Sequence, residues 1–368
     1  MAYTTIDNPE LHFQCKIYTG NGGTLSLTLD GDEDMQPDLV WVKSRTQNNS
    51  HVWFDVIRTF AGGKEIQSNN TGIEGASDSG GYGYVSAVGS DGFTVQAGST
   101  AGDYTNVSSQ NYVAWCFKAG TSFSNDASAT SIGSIDSSGS TNQTAGFSIA
   151  TFDLTSQTGN ETVKHGLSTA PGIVITKRRS GGAGDWTTYI GPTGNSYGVL
   201  NKTDAFTTSA NFMNNTAPTS SVFTIGDPEW WAQDPFVSYC FNEVKGFSKF
   251  GTYVGTGAAS TAPFRFTGFK PAFLIVRETD GSDGWGLYDN KRNPGPGNVN
   301  GNPLLQAQSS DAESNAVANQ IDFLSNGFRV CAEGTNGNFI NEDGKTYFYA
   351  AFAEVPFVNS NGVPCNAK

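Results

Sequence analysis

A chain of 368 residues exceeds the roughly 250–300 residues that a single hydrophobic core serves, so it should divide into two or three units. Charged residues make up only 15% and hydrophobic ones 37%, so the polarity comes from Ser, Thr, Asn and Gly, and with 25 Phe and 13 Tyr this suits short strands and turns and disfavours long surface helices. The net charge of −13 repels phosphate backbones and anionic membranes and argues against a nucleic-acid partner; the absence of a long apolar run argues against membrane insertion, and Met1 to Leu11 lacks the basic-then-apolar pattern of a signal peptide, so synthesis in a cytoplasm is expected.

Along the chain, the same succession of strand signals is written three times. The first strand of each copy is aromatic-rich: Ile17-Tyr18-Thr19 before Gly20-Asn21-Gly22, Ile149-Ala150-Thr151-Phe152-Asp153, and Gly251-Thr252-Tyr253-Val254 before Gly255-Thr256-Gly257. A proline then introduces a short apolar run with a basic or polar exit, at Pro37 to Arg45, Pro171 to Arg179 and Pro271 to Glu278, which reads as a buried strand. A Trp-centred segment follows at Val52 to Arg58, Trp186 to Ile190 and Trp285 to Arg292. Later, turns launch strands at Gly92-Phe93, Val222-Phe223 and Gly327-Phe328, and aromatic strands close the copies at Tyr112 to Phe117, Phe236 to Phe241 and Tyr347 to Phe352. The expectation is an all-β chain of three tandem, diverged β-sandwich or jelly-roll-like units spanning 1–120, 146–248 and 249–368. The Ser/Gly/Thr-rich segment 121–145 reads as a flexible linker, and the direct junction at Val244 to Phe250 should make units two and three move together more than unit one does. A short helix fits best at Asp311 to Gln320, with under about a tenth of the chain helical.

Chemistry-bearing residues are sparse. Cys15, Cys116, Cys240, Cys331 and Cys365 show no metal or redox spacing, and Cys116 and Cys240 fall where the third copy has Ala351, which marks a small buried position and not a nucleophile. His12, His51 and His165 lie in no catalytic motif, and His165, before Gly166, reads as an exposed loop residue. Asp55, Asp185, Glu229 and Asp289 would have to converge in space to form a glycosidase pair, and the repeat of Asp55 as Asp289 is better explained by a shared turn. The acidic run Asp30 to Asp34 has oxygens suited to Ca²⁺ but places Met35 where an EF-hand needs its glycine, so it reads as a solvated loop. No cofactor, metal or catalytic residue is expected. The candidate ligand site is Trp230-Trp231, between Pro228 and Pro235: aromatic rings in a polar loop either stack on a sugar, or cap the sandwich or bury into a neighbouring subunit.

Met1 to Asp7, Tyr18 to Gly22, Pro37 to Lys43, Tyr112 to Gly120, Gly246 to Gly251 and Asp289 to Pro294 together resemble a family of repeated β-domain proteins encoded mainly by tailed bacteriophages, often marine ones, and labelled virion structural or tail proteins. The resemblance spans nearly the whole chain and carries over no catalytic residue. It implies a non-enzymatic virion component, a tail-associated appendage, fibre or adaptor, with other virion proteins as partners and homo-oligomerisation. The alternatives are a capsid decoration protein or an adhesin that binds a host surface glycan. Tandem copies also present similar surfaces, so one chain can mimic a trimer about a local three-fold axis.

Overall fold

Short runs of β-branched and aromatic residues between Gly, Pro and Asn turns become strands throughout, with 42% strand and 7% helix. The structure, a computed structural model, describes residues 3–365 apart from 101, 192–195, 294, 297–300, 317–318 and 333–338; Met1, Ala2 and Pro294 of the motifs above lie outside the described residues.

In the first unit, β1 (Phe13–Thr19), β2 (Thr24–Leu27), β3 (Leu39–Ser44), β4 (Val52–Asp55), β5 (Ile66–Gln67), β6 (Tyr84–Gly89), β7 (Gly92–Gln96) and β8 (Asn111–Phe117) form two antiparallel sheets, β1-β8-β3-β4-β5 and β2-β7-β6. In the second, β9 (Thr121–Asn125), β10 (Ser137–Asn142), β11 (Phe147–Asp153), β12 (Glu161–Lys164), β13 (Ile173–Arg178), β14 (Trp186–Ile190), β15 (Tyr197–Val199), β16 (Val222–Ile225) and β17 (Pro235–Phe241) give β15-β14-β13-β17-β11-β10-β9 and β12-β16. In the third, β18 (Ser248–Val254), β19 (Phe264–Phe266), β20 (Phe269–Glu278), β21 (Trp285–Asp289), β22 (Asn302–Gln306), β23 (Ser314–Ala316), β24 (Ile321–Leu324), β25 (Gly327–Val330) and β26 (Thr346–Pro356) give β18-β26-β20-β21-β22-β23 and β19-β25-β24. Among the described residues four single-turn α-helices, α1 (Ser79–Tyr82), α2 (Ala127–Thr130), α3 (Ala210–Met213) and α4 (Pro228–Trp231), lie between strands.

Strand alternation splits each large sheet into two buried faces. In β8, Tyr112, Ala114 and Cys116 pack outward on Val85, Phe93 and Val95 of the small sheet, whereas Val113, Trp115 and Phe117 point inward. The inner faces of all three large sheets meet in one apolar core that contains Trp41, Trp115, Ile175, Tyr239, Phe273 and Phe352. The units are therefore three sandwiches that share a core about a common axis, and unit one is as much a part of it as the other two.

Strand register fixes which residues are equivalent. Leu39, Ile173 and Phe273 pair with Phe117, Phe241 and Phe352, and these last three rings meet edge to face at the axis, with centroids 5.5, 5.6 and 5.2 Å apart. On the outer faces the same aromatic triplet recurs: Tyr18 stacks on Tyr112, Phe152 on Phe236 and Tyr253 on Tyr347, each with a T-shaped partner from the small sheet, Phe93, Phe223 and Phe328. Cys116 and Cys240 do share their position with Ala351, opposite Val40, Val174 and Leu274. The tryptophans are displaced: Trp186 and Trp285 lie opposite Lys177 and Arg277, one pair beyond Val42↔Val52 and so equivalent to His51, while Trp53 corresponds to Thr188 and Leu287. A two-residue shift keeps a strand side chain on the same face, so both arrangements fill the core.

Three seams close the ring. Unit two docks on unit one through Trp186 Nε1 to the Gln67 carbonyl (2.7 Å) and Glu74 N to the Arg179 carbonyl (3.0 Å). Unit three docks on unit two through Trp285 Nε1 to the Val199 carbonyl (3.0 Å) and Phe206 N to the Thr279 carbonyl (2.8 Å). Unit one closes on unit three through Glu313 N to the Arg45 carbonyl (2.8 Å), with His51 in the tryptophan's place facing the Gln306 backbone. Two seams are ionic: Glu74 bridges Arg58 and Arg179, and Glu313 bridges Arg292 and Arg45. In these seams Asp55 and Asp289 each hold their own arginine at 2.6 Å and accept a ring donor from the adjoining unit, Tyr239 Oη at 2.7 Å and Trp115 Nε1 at 3.1 Å. At the third seam the equivalent residues are Ile190 for the aspartate, Phe206 for the glutamate, Thr279 for Arg179 and Arg45 of the adjoining unit, and Ala350 for the donor. Donor and acceptor are lost together, as the cost of an unpaired buried polar group requires.

Two expectations are corrected. Segment 121–145 is no linker: β9 pairs in register with β10, and β10 with β11, extending the second sheet. Backbone pairing needs no apolar side chain, and small residues are required here, because a Cβ on Gly139 would lie 1.9 Å from the Ile149 carbonyl oxygen and 2.7 Å from the Phe123 ring. Within Asp311 to Gln320, where a short helix was expected, Ser314–Ala316 instead form β23, paired with β22; 317–318 lie outside the described residues and Asn319 is in 3-10 conformation.

Candidate functional site

The Pro228–Trp231 turn of helix is fixed by Asp227, whose carboxylate accepts from Glu229 N (3.0 Å) and Trp230 N (3.3 Å), by Pro228 in the first turn, and by Ala232 at φ 69°, which ends it. Adjacent helical residues point about 100° apart, so the two tryptophans diverge. Trp231 is buried: it stacks on Phe212 at 5.5 Å and donates from Nε1 to the Phe212 carbonyl at 2.9 Å, capping the outer core of unit two. Trp230 is 40% exposed and is held by edge contacts to Tyr197 (5.9 Å), Phe212 (6.4 Å) and Trp231 (5.7 Å). Of the two roles expected for the pair, capping belongs to Trp231, and Trp230 is left at the surface.

Beside them lies a groove of about 420 Å³ between α4 and the β13–β15 face, lined also by Arg178, Asp185, Thr187, Tyr197, Lys202 and Asp204. Asp185 orders one wall: its oxygens accept from Asn201 Nδ2 (2.9 Å) and Lys202 Nζ (2.6 Å). Arg178 pairs with Asp234 and donates from Nη1 to the Ala183 carbonyl (3.2 Å). Burial pushes the Tyr197 hydroxyl above its ordinary range, Lys202 opposing and Asp185 adding to the shift. Thr187 Oγ1 and Arg178 Nε are buried in the wall without a hydrogen-bond partner, and the polar groups open to the groove are those of Asp185, Lys202 and Asp204. A fixed ring beside unspent donors and acceptors is hardware for binding.

The match to known families follows the same boundaries as the three-unit ring: the domain of unknown function DUF7483 matches residues 8–356. The chain belongs to the DUF7483 family. No curated protein and no solved structure matches it. The family match takes in the groove, all three seams and nearly all of the shared core.

The remaining candidates are placed elsewhere. Asp55 and Asp289 are fully buried in separate ionic seams, and Asp55 Oδ1 accepts from Ile57 N and Arg58 N, the shared turn expected from the sequence. Glu229 is exposed on α4, so Asp185 is the one member of the four carboxylates that lines the groove. His165 is buried and not in an exposed loop: Nδ1 accepts from Leu167 N, Nε2 faces the Thr219 carbonyl at 3.1 Å, and burial brings its pKa down to about 4. Burial raises the Cys116 thiol well above its ordinary range and the Cys240 thiol to about 12. In the Asp30 to Asp34 loop, Asp30 pairs with Lys16, and among the described residues no three His, Cys, Asp or Glu gather to hold a metal. No described helix is long and apolar enough to cross a membrane. Tyr197, Thr187, Lys202 and Asp204 carried no sequence signal as site residues, because they converge only through the fold of β14, β15 and the following loop.

Proposed function

We propose that this chain is a non-enzymatic architectural component of a bacteriophage virion, a tail-associated appendage, fibre or adaptor. The observation that carries the reading is the closed ring of three units about one apolar core, which lets a single chain present a trimer-like body suited to a particle's symmetric parts. The resemblance of the Pro37 to Lys43 and Tyr112 to Gly120 segments to tailed-phage proteins points the same way. A further support is the β19 edge, where Phe264 and Phe266 are 41% and 54% exposed. Register makes Phe264 equivalent to Ser26 and Thr162, and Phe266 to Lys164, so the fold itself does not call for aromatics there. Such an edge suits a neighbouring virion protein or a second copy. The test is electron microscopy of intact particles labelled with an antibody against this protein. Signal on the tail supports the reading, signal over the capsid shell makes the protein a decoration protein instead, and unlabelled particles from cells that contain the protein overturn it.

A further inference from the structure

We infer that the groove beside Trp230 binds the ring of an uncharged, hydroxyl-rich saccharide. The inference rests on the groove alone and stands whether or not the chain belongs to a virion. Trp230 is dispensable to the core, since Trp231 makes the cap and its hydrogen bond, yet three edge contacts hold the Trp230 ring at the rim. A ring fixed in advance loses little freedom when it stacks on the apolar face of a pyranose.

The charge of the lining selects the ligand class. Arg178 and Lys202 are matched by Asp185 and Asp204, so the groove is formally neutral within a chain of net charge −13. A phosphate, uronate or sialate finds no surplus of cations there, whereas hydroxyl groups can use both signs. Asp185 spends one bond per oxygen on Asn201 and Lys202 and keeps lone pairs for a ligand hydroxyl. The open polar groups of the lining, Asp185, Lys202 and Asp204, offer both acceptors and a donor, which hydroxyl groups can use and an apolar aromatic ligand cannot. A volume of about 420 Å³ accommodates one or two sugar rings.

The test is saturation-transfer NMR on the full chain with the methyl glycosides of glucose, galactose, mannose and N-acetylglucosamine, and with N-acetylneuraminic acid as the anionic comparison. The expected result is transfer to ring protons of at least one neutral glycoside, with affinity lowered about ten-fold or more in Trp230→Ala, at an unchanged melting temperature. Asp185→Asn, which keeps the side-chain shape but replaces a carboxylate oxygen by an amide, should weaken the same ligand several-fold and serves if Trp230→Ala folds poorly. The inference is overturned by an absence of transfer to every neutral glycoside, by transfer that neither variant reduces, or by preference for N-acetylneuraminic acid.

Discussion

Replacing Asp55 by Ala removes the acceptor on which one whole seam converges: Arg58 Nε at 2.6 Å, Tyr239 Oη at 2.7 Å, and the amides of Ile57 and Arg58. Arg58 would keep its bonds to the Lys64 and Trp53 carbonyls but would stand as a buried cation whose nearest carboxylate is Glu74 at 3.8 Å. Breaking a buried pair from one side costs about 3–5 kcal/mol, because the surviving charge is left uncompensated. With an unfolding entropy of about 2.1 cal/mol/K per residue, a chain of this length loses roughly 4–6 °C of melting temperature. The assay is differential scanning calorimetry of wild type, Asp55→Ala, and Asp55→Ala with Arg58→Met. The double variant removes both charges and should recover at least about 1 kcal/mol relative to the single one. A drop below about 1 °C in Asp55→Ala, or a double variant no more stable than Asp55→Ala, would contradict this assignment of the seam.

Acidification should loosen the ring. Burial alone would raise the carboxyls of Glu74 and Glu313, but Arg179 and Lys64 at the first, and Arg45 and Arg292 at the second, outweigh it and hold both below the ordinary 4.5; their stabilisation is complete above that value and lost as pH falls through the lowered folded values. His12 and His165, brought to about 4 by burial with Lys118 adding at His12, bind protons in the unfolded chain first and remove stability from about pH 6.5 downward. Burial holds Asp283 at about 6 and Asp38, Glu65 and Asp103 above their ordinary values, which opposes this loss, so the test is comparative: the fall in melting temperature between about pH 7 and 4 should be shallower in His165→Asn, and a profile that this substitution leaves unchanged contradicts the assignment. Ala350→Val should fill part of the void of about 30 Å³ near the axis and add about 1 kcal/mol, read as a higher urea midpoint; a lower midpoint shows the void to be closed. Hydrogen exchange should find the amides of Thr121–Asn125 and Ser137–Asn142 that pair across strands protected like those of β11, whereas exchange at random-coil rates would restore the linker reading.

Much of the fold was legible because the repeat is written in aromatic and β-branched residues. The proline-led strands at Leu39, Ile173 and Phe273, the turns before Phe93, Phe223 and Phe328, and the Cys116, Cys240 and Ala351 equivalence all stand where the pattern put them. What escaped the sequence depended on pairing across distance. Ser137–Asn142 has no apolar alternation because its partners, not its side chains, hold it, and the Trp186 and Trp285 register was hidden by a shift that leaves the inward face unchanged. The sharing of one core also left no local mark, since an inward residue reads alike whether it meets its own unit or the next. At the candidate site, Trp230 and Trp231 were visible as an outlying aromatic pair, but only the single helical turn separates their roles, and the Thr187, Tyr197 and Lys202 walls come from strands that look ordinary in sequence.

The shared core makes one cooperative body of all three units, and calorimetry of the full chain tests this most directly. A single transition is expected, with calorimetric and van't Hoff enthalpies in agreement, shifted as a whole by Asp55→Ala. Two or three separable transitions, with the seam variant moving only one of them, would contradict it and return the chain to independent sandwiches on a string.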